Sequence, residues 1–200
     1  MKIKKTITLI LAIIIMITSS SIIFKGFSIY KEAVNEIPLE KRIEKLKNRK
    51  NYTKLKNISN DFKTLVIESE DSEFYSHFGI NIESTLRAII VNTKNLSFKQ
   101  GGSGITQQLA KNLYFSFEKK LSRKVAELFV VFRLEKNYSK NEIFEFYCNI
   151  AYFGHGNYGI KGASLYYYNV EPKDLTLNQS KVLVKTLKSP SNYNPKDIKD

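Results

Sequence analysis

An uncharged apolar segment near the N-terminus dominates the hydropathy pattern. The 19 residues from Thr6 to Phe24 carry no charge and are rich in Ile and Leu. As a helix they would span roughly 28 Å at ~1.5 Å per residue, close to the apolar thickness of a bilayer. We expect an uncleaved membrane anchor, with a cleaved secretory signal as the alternative. Lys2, Lys4 and Lys5 precede it and favour a cytoplasmic N-terminus.

The following stretch, residues 25–59, is basic and only sparsely apolar. Eight basic residues and a single acid lie between Lys41 and Lys56. Apolar residues such as Ile43 and Leu46 are interleaved with these charges, which predicts an amphipathic helix lying near the membrane. A solvated linker is the alternative interpretation.

From about residue 60 onward the apolar positions recur at helical spacing, and no alternating strand pattern of useful length occurs. We therefore expect a mostly α domain over this part of the chain. The periodic runs cover Ile82–Ile90, Ile105–Phe115, Val125–Leu134, Ile143–Ile150 and Leu175–Leu187.

The stretch EDSEFYSHFG, Glu70 to Gly79, places two adjacent acids beside aromatic residues. Carboxylates in such surroundings can have raised pKa values, because desolvation and neighbouring like charges disfavour ionisation. A general base that works near neutral pH needs this kind of environment. Taken alone, the stretch also fits an acidic helix end on a solvated surface.

A glycine cluster opens the stretch GGSGITQQLAKN, Gly101 to Asn112. Glycines allow close backbone approach to a ligand, and Ser103 or Thr106 can cap the helix that starts here. A helix N-terminus with a nearby lysine, Lys111, suits a phosphate group. The stretch is not a nucleotide P-loop, because Gly-Lys-Ser/Thr is missing. A flexible loop before a surface helix is the alternative.

The stretch RKVAELFVVFRLE, Arg123 to Glu135, combines an apolar stripe with opposite charges one helical turn apart. Arg123 and Glu127 are four residues apart and share a helix face. In a cleft, Arg123 and Lys124 would neutralise an anionic substrate. On an exposed surface, the pair would contribute at most ~0.5 kcal/mol.

The stretch KNEIFEFYCNIAYFG, Lys140 to Gly154, predicts a helix followed by a Tyr-Phe-Gly exit. Glu142, Glu145 and Asn149 share one face of this helix. Core packing with a C-cap at Gly154 is the first interpretation.

Charge and cysteine content narrow the classes of partner. The chain has 32 Lys and Arg against 19 Asp and Glu, a formal net charge of +13 and a pI near 9.6. This surplus favours nucleic acid, anionic lipid or a phosphorylated substrate. No nucleic-acid recognition motif is present, and an exported domain would rarely meet DNA. The single Cys148 excludes an internal disulfide, and two His with one Cys argue against structural zinc.

The four stretches, in this order, resemble the peptidoglycan glycosyltransferase family. Its membrane-anchored members polymerise lipid II, as monofunctional enzymes or within bifunctional penicillin-binding proteins. A fifth motif, GIKGASLYYYNV, lies at Gly159 to Val170, and SPSNYNP follows at Ser189 to Pro195. The resemblance covers about residues 60 to 195. Each motif alone is weak evidence, but five in order with compatible spacing make a chance resemblance very improbable.

The resemblance implies a lysozyme-like, mostly α fold with a cleft between two lobes. It implies that Glu70 is the general base, which deprotonates the 4-hydroxyl of the acceptor's N-acetylglucosamine. That oxygen attacks C1 of the donor's N-acetylmuramic acid and displaces undecaprenyl pyrophosphate with inversion. Glu127 is implied to be the second family acid, placed near the donor pyrophosphate.

The resemblance also implies a set of substrate contacts around these two acids. Four basic residues would hold the leaving pyrophosphate, because fixed cations stabilise the charge that develops on it; they are Lys111, Lys119, Arg123 and Lys124. The other expected contacts are Asp71, Phe74, His77, Ser103, Gln107, Gln108, Asn112 and Asn149. No metal site is evident and no cofactor is implied as required, but Mg or Mn bridging the pyrophosphate stays an alternative.

The chain departs from the family pattern at several positions. Gly104 stands where the family usually has Thr, and we expect a looser loop there. Cys148 replaces a usual Leu, and Gly162 and Asn169 depart from the fifth motif. The chain stops at Asp200, where family members usually continue through another helical segment. We expect this short C-terminus to affect stability and processivity more than chemistry.

These inferences divide the chain into three parts. We predict a cytoplasmic tail and transmembrane anchor over 1–24, a basic membrane-proximal linker over 25–59 and a glycosyltransferase domain over 60–200. The domain would lie on the extracytoplasmic face of the plasma membrane. Its expected partners are lipid II, the growing glycan strand and the lipid bilayer, with transpeptidases or other wall-synthesis proteins as candidates.

The leading functional hypothesis is a monofunctional peptidoglycan polymerase. A shortened, inactive relative that binds lipid II or acts as a scaffold is the first alternative. A lysozyme-like hydrolase, which would protonate the leaving oxygen with a carboxylic acid, is the second, although the basic cluster from Lys111 to Lys124 argues against it. Cross-linking by this chain is not expected.

Overall fold

The chain is mostly helical in a computed structural model that describes residues 2–95, 101–115, 120–190, 193 and 195. No strand forms within these ranges, and an isolated bridge joins Tyr152 and Tyr158. The mostly α expectation is therefore confirmed. The helices in chain order are α1 Lys2–Glu36, α2 Leu39–Lys47, α3 Asn60–Glu70, α4 Ile82–Asn95, α5 Ile105–Tyr114, α6 Leu121–Asn137, α7 Lys140–Ile150, α8 Ile160–Tyr168 and α9 Leu177–Lys188, with 3₁₀ turns at Leu55–Asn57 and Pro172–Asp174.

Helix α7 lies in the core and is buried along most of its length. Its start is fixed by a reciprocal cap: the Glu142 carboxylate accepts from the Ser139 N–H at 2.9 Å, and the Ser139 hydroxyl accepts from the Glu142 N–H at 3.4 Å. The helix ends at Ile150, with Ala151 as its C-cap. The predicted C-cap at Gly154 is wrong, because Gly154 belongs to the following loop, where its φ is +82°.

Helix α2 packs into the same core. Its apolar side chains Leu39, Ile43 and Leu46 are 0%, 2% and 2% exposed. The predicted amphipathic helix is present and packs on the domain, so it is not part of a solvated linker, and its location near the membrane stays a prediction. Its apolar side chains pack in the protein core, and its basic side chains lie on the outer face. Each buried Leu or Ile contributes about 2 kcal/mol relative to an exposed one.

Helix α1 is long enough and apolar enough to cross a membrane, by length and composition, over Lys4–Glu36. A signal sequence near the N-terminus would pass the same test, so both interpretations of this segment stay open. The end of α1 packs against α6. The approach is close, because a Cβ added at Gly26 would lie 2.6 Å from the Val125 Cβ. Phe27 and Tyr30 continue the contact with ring centroids 5.2 and 5.4 Å from that of Phe129.

The end of α3 and the starts of α5 and α6 lie close together. Helix α3 packs on α9, and α5 packs on both α6 and α7. This packing brings the last turn of α3, the first turn of α5 and the first turns of α6 together, and these segments carry most of the predicted site residues.

Candidate active site

Glu70 is the last residue of α3. The helix is anchored below it by the buried side chains of Phe62 and Val66. One carboxylate oxygen of Glu70, Oε2, accepts a hydrogen bond from Gln108 Nε2 at 2.8 Å. The other oxygen, Oε1, is buried and has no hydrogen-bond partner among the described residues. The carboxylate is thus held at one oxygen by the Gln108 amide, and its second oxygen is enclosed by the protein.

Gln108 is oriented by contacts on both sides of its amide. Its Nε2 also donates to the Ser103 carbonyl at 3.3 Å, and its Oε1 accepts from the Tyr147 hydroxyl at 3.2 Å. Burial, with a smaller effect from the nearby Glu70 carboxylate, raises the pKa of Tyr147 well above its usual value. Tyr147 therefore stays protonated and donates, which turns the amide NH₂ of Gln108 towards Glu70.

Two clefts meet at Glu70. The larger has a volume of about 640 Å³ and the smaller about 160 Å³, and both are bordered by Ser69, Glu70, Gly101 and Ser103. The smaller cleft continues along Asp71, Ser84 and the glycine loop. The other residues lining the larger cleft are Gln108, Lys111, Asn112, Ala151, Tyr152, Leu187, Lys188 and Pro190. A proton acceptor at this junction can act on a group held in either cleft.

Glu127 lies behind the wall of the larger cleft and is only 1% exposed. Arg123 Nη1 lies 3.3 Å from Glu127 Oε2, and Lys124 Nζ pairs with Glu127 Oε1. Lys124 Nζ also donates to the Ser103 hydroxyl at 2.9 Å. The exposed-pair interpretation of Arg123 and Glu127 is therefore wrong, since the carboxylate is buried and holds two cations.

Lys111 adds a further cation to the larger cleft. Burial lowers the pKa of its amine, and the charges of Arg123 and Lys124 act in the same direction, whereas Glu127 opposes them. A lysine under this influence is stabilised in its charged form by any anion that enters the cleft. Lys119, another predicted contact, lies outside the described residues.

Asp71 and His77 form a pair beside Glu70. Asp71 Oδ1 lies 2.8 Å from His77 Nε2, and the Asp71 side chain is almost fully buried. Asp71 borders the smaller cleft, whereas His77 does not appear among the described residues that line either cleft.

Three predicted substrate contacts lie in the framework of the described part of the chain instead of lining a cleft. Phe74 is 0% exposed, and its ring is 6.0 Å from that of Phe144. Asn149 is 4% exposed and exchanges hydrogen bonds with the backbone of Thr53 at 2.7 and 2.8 Å. Gln107 is 3% exposed, and its side chain accepts from the Gly104 N–H. Gln107 and Asn149 lie on the inward faces of α5 and α7, and Phe74 lies in the turn that follows α3.

Several residues at the site were not predicted. Tyr147 and Tyr152 stand in the fourth motif, where aromatic spacing was interpreted as core packing. Ser69 adjoins the predicted acids. Lys188 comes from the end of α9 and reaches the larger cleft only through tertiary packing, so no local pattern in the sequence could have identified it.

Comparison with known proteins gives consistent matches. A family model described as Transglycosylase matches residues 38–200. Penicillin-binding protein 1F of Bacillus subtilis is 46% identical over 129 residues, which is 64% of this chain and 18% of that protein. Penicillin-binding protein 1A of Neisseria lactamica is 38% identical over 147 residues, or 74% and 18%. A monofunctional glycosyltransferase of Staphylococcus epidermidis is 35% identical over 163 residues, or 78% and 60%.

The chain therefore spans less than two thirds of the length of each of these relatives. The matched range begins at residue 38, well before the predicted domain boundary at 60. This earlier start agrees with the burial of Leu39, Ile43 and Leu46 in the core.

Proposed function

The chain belongs to the transglycosylase family, as the sequence motifs indicated, and from this premise we propose that it polymerises lipid II into glycan strands. Glu70 takes the proton of the acceptor's 4-hydroxyl, and the oxygen forms a bond to C1 of the donor sugar with inversion. The bond between C1 and the undecaprenyl pyrophosphate breaks, and its electron pair leaves with the pyrophosphate. The mostly helical, lysozyme-like fold class is that of the family.

The observation that carries this proposal is the position of Glu70 at the junction of the two clefts. A sugar polymerase must hold a donor and an acceptor in line, which removes much of the entropic barrier to their reaction. Glu70 lines both clefts, and its carboxylate is the proton acceptor in this scheme.

The cations of the larger cleft support its assignment to the pyrophosphate. Lys111 and Lys188 line this cleft, and Lys124 reaches Ser103 on its border. Fixed positive charges stabilise a leaving group that gains negative charge in the transition state. Glu127 holds Arg123 and Lys124 in position, and in this scheme it acts through them. No cofactor is expected to be required, and Mg or Mn bridging the pyrophosphate stays an alternative.

An apolar surface supports the bilayer as a partner. Phe129 of α6 packs on the end of the apolar helix α1, and Phe132, one turn further along α6, stacks on Phe78 with 6.3 Å between ring centroids. Helix α4 also carries an exposed apolar stripe. Its residues Ile82, Leu86 and Ile90 are 69%, 54% and 54% exposed. Exposed apolar surface of this extent is typical of membrane contact. In the proposed orientation the domain lies on the extracytoplasmic face.

The test is polymerisation of labelled lipid II by the full chain in detergent. Glu70→Gln keeps the shape and the acceptor oxygen towards Gln108 but removes the base, so we expect the rate to fall by about 10²- to 10⁴-fold. Glu44→Gln, on the outer face of α2, is the matched control and should retain wild-type activity. Normal polymerisation by the Glu70→Gln protein would falsify the assigned base.

Two other outcomes would replace the proposed function. Tight binding of lipid II by the wild-type chain without turnover, with Mg²⁺ and with Mn²⁺ and in several detergents, would identify a binding module. Release of muropeptides from intact sacculi would identify a hydrolase.

A further inference from the structure

Gly104 and Asp71 are sterically coupled. We infer that Asp71 is a positioning residue that joins the end of α3 to the start of α5 and thereby sets the contact between Gln108 and Glu70. The activity part of this inference rests on the proposed function, whereas its structural part does not.

The Asp71 carboxylate caps a helix to which it does not belong. Its Oδ2 accepts a hydrogen bond from the Ile105 N–H at 3.0 Å, and Ile105 is the first residue of α5. The first N–H groups of a helix have no partner within the helix, and a negative charge beside them is favourable. The second oxygen, Oδ1, is held at 2.8 Å by His77 Nε2. Both oxygens are thus in use, and the residue is only 5% exposed.

Gly104 provides the space that this cap requires. Its φ of −73° and ψ of −179° are extended values that any residue adopts, so backbone freedom does not explain the glycine. A Cβ added at Gly104 would lie 2.2 Å from Asp71 Oδ2 and 3.0 Å from its Cγ. Gly104 is buried, and the carboxylate fills the space beside it.

A short series of covalent and hydrogen-bond contacts links the Asp71 cap to Glu70. Asp71 directly follows Glu70 in the chain, and the Gln108 N–H donates to the Gly104 carbonyl at 3.0 Å in the turn that Asp71 caps. Gln108 then returns to Glu70 through its side-chain amide at 2.8 Å. A shift of the first turn of α5 would therefore move Gln108 away from the base.

A second way to cap α5 is partly present in the chain. Gln107 Oε1 already accepts from the Gly104 N–H at 3.2 Å, which is one half of a capping box. A threonine in place of Gly104 would create the T-x-x-Q pattern and supply the other half from its own hydroxyl. An added threonine Cβ would require the Asp71 carboxylate to shift, and the threonine hydroxyl would then cap α5 in its place.

The experiment is a double-mutant cycle on the full chain in detergent. Asp71→Ala removes the cap, so it should lower the thermal midpoint by about 3 °C. It should lower kcat on lipid II by about tenfold while KM stays within twofold. Gly104→Thr moves the carboxylate but supplies a cap of its own, so its losses in both measurements should be smaller. The double variant should recover to within about 1 °C and threefold of wild type, because the introduced threonine then caps α5 without a clash.

Three controls separate space from hydrogen bonding and charge. Gly104→Ala combined with Asp71→Ala relieves the clash without supplying a cap, so it should not recover. Asp71→Asn keeps an acceptor for the Ile105 N–H and should lose less than Asp71→Ala in both measurements. Gly162→Thr, where an added Cβ meets no atom of the described residues within 4 Å, should remain near wild type.

Losses in the double variant that equal the sum of the two single-variant losses would overturn the inference. Equal losses of kcat for Asp71→Asn and Asp71→Ala, without equal losses of thermal midpoint, would also overturn it, because they would indicate direct substrate contact. A wild-type chain that makes no polymer would remove the proposed function only. In that case the thermal midpoints of the same variants decide the positioning role.

Discussion

Glu70 and Glu127 are carboxylates of the same site in opposite surroundings. Glu70 is held through one oxygen by a neutral amide, and its second oxygen has no partner among the described residues. Glu127 is 1% exposed, and both its oxygens pair with cations. Two acids of one type thus acquire different roles from their partners. Glu70 contacts a neutral amide, whereas Glu127 holds Arg123 and Lys124.

The largest effect is expected when each acid is replaced in turn by glutamine and the free energy of unfolding is measured. Glu127→Gln leaves two cations without their buried counter-charge, and we expect the free energy of unfolding to fall by about 3 kcal/mol. This value lies at the low end for a buried pair because the Lys124 side chain is 38% exposed. Glu70→Gln should change stability by no more than about 0.5 kcal/mol.

Denaturant unfolding followed by circular dichroism measures both changes. Glu40→Gln, which removes the exposed contact between Glu40 and Arg133 at 3.0 Å, is a control for ordinary ion pairs and should alter stability by less than about 1 kcal/mol. Equal losses for Glu70→Gln and Glu127→Gln would show that the two surroundings do not differ as described.

A smaller effect is expected when the Gln108 amide, which donates to Glu70, is removed. Gln108→Met keeps the length of the side chain but removes the donor to Glu70 and the acceptor for Tyr147. We expect kcat on lipid II to fall by about tenfold, because misplacement of a catalytic group lowers the rate steeply. Stability should fall by about 1–3 kcal/mol, because the buried Tyr147 hydroxyl loses its acceptor.

Tyr147→Phe is the matched variant for this prediction, since it removes only the donor that orients the amide. It should reduce kcat less than Gln108→Met does. A wild-type kcat in the Gln108→Met protein would show that Glu70 needs no positioning by this amide.

The smallest expected effect concerns the pH dependence of Lys111. Its pKa is lowered from 10.5 by burial, so between the lowered value and 10.5 the unfolded chain binds more protons than the folded one. In that window the contribution of Lys111 to the free energy of unfolding therefore rises with pH. Activity should change in the opposite direction, because a neutral amine no longer stabilises the leaving pyrophosphate.

The measurement is the pH profile of kcat/KM on lipid II. We expect an alkaline limb below pH 10.5 that moves to higher pH in Lys111→Arg, because arginine stays charged throughout this range. Lys185→Arg, on the exposed surface of α9, should leave the limb in place. A limb that does not move in Lys111→Arg would assign it to another group.

The helices were predictable from the sequence because their apolar positions recur with the helical period. The run Ile105–Phe115 became α5 at Ile105–Tyr114, and the run Ile143–Ile150 is the second part of α7. The acids Glu70 and Glu127 and the cations near them were identified from ordered motifs, since these keep local spacing. The predicted roles of individual substrate contacts remain predictions.

The partners of these elements were not predictable in the same way. The amphipathic pattern of α2 was recognised, but amphipathicity does not distinguish a membrane from a protein core as the apolar neighbour. Phe74, Gln107 and Asn149 stand inside motifs with exposed site residues, and only tertiary packing buries their side chains. Gly104 was identified as a departure, but the carboxylate beside it comes from the end of another helix.

The amino-acid sequence by itself determined the apolar N-terminal helix, the helical fold class and the family, because helical periodicity is local and each family motif is a short run of neighbouring residues. Only the tertiary structure decided which oxygen of Glu70 is left without a partner in the described part of the chain, which cations Glu127 holds and which carboxylate caps α5. Those properties depend on side chains that come from different helices, and their distances are set by packing in the core.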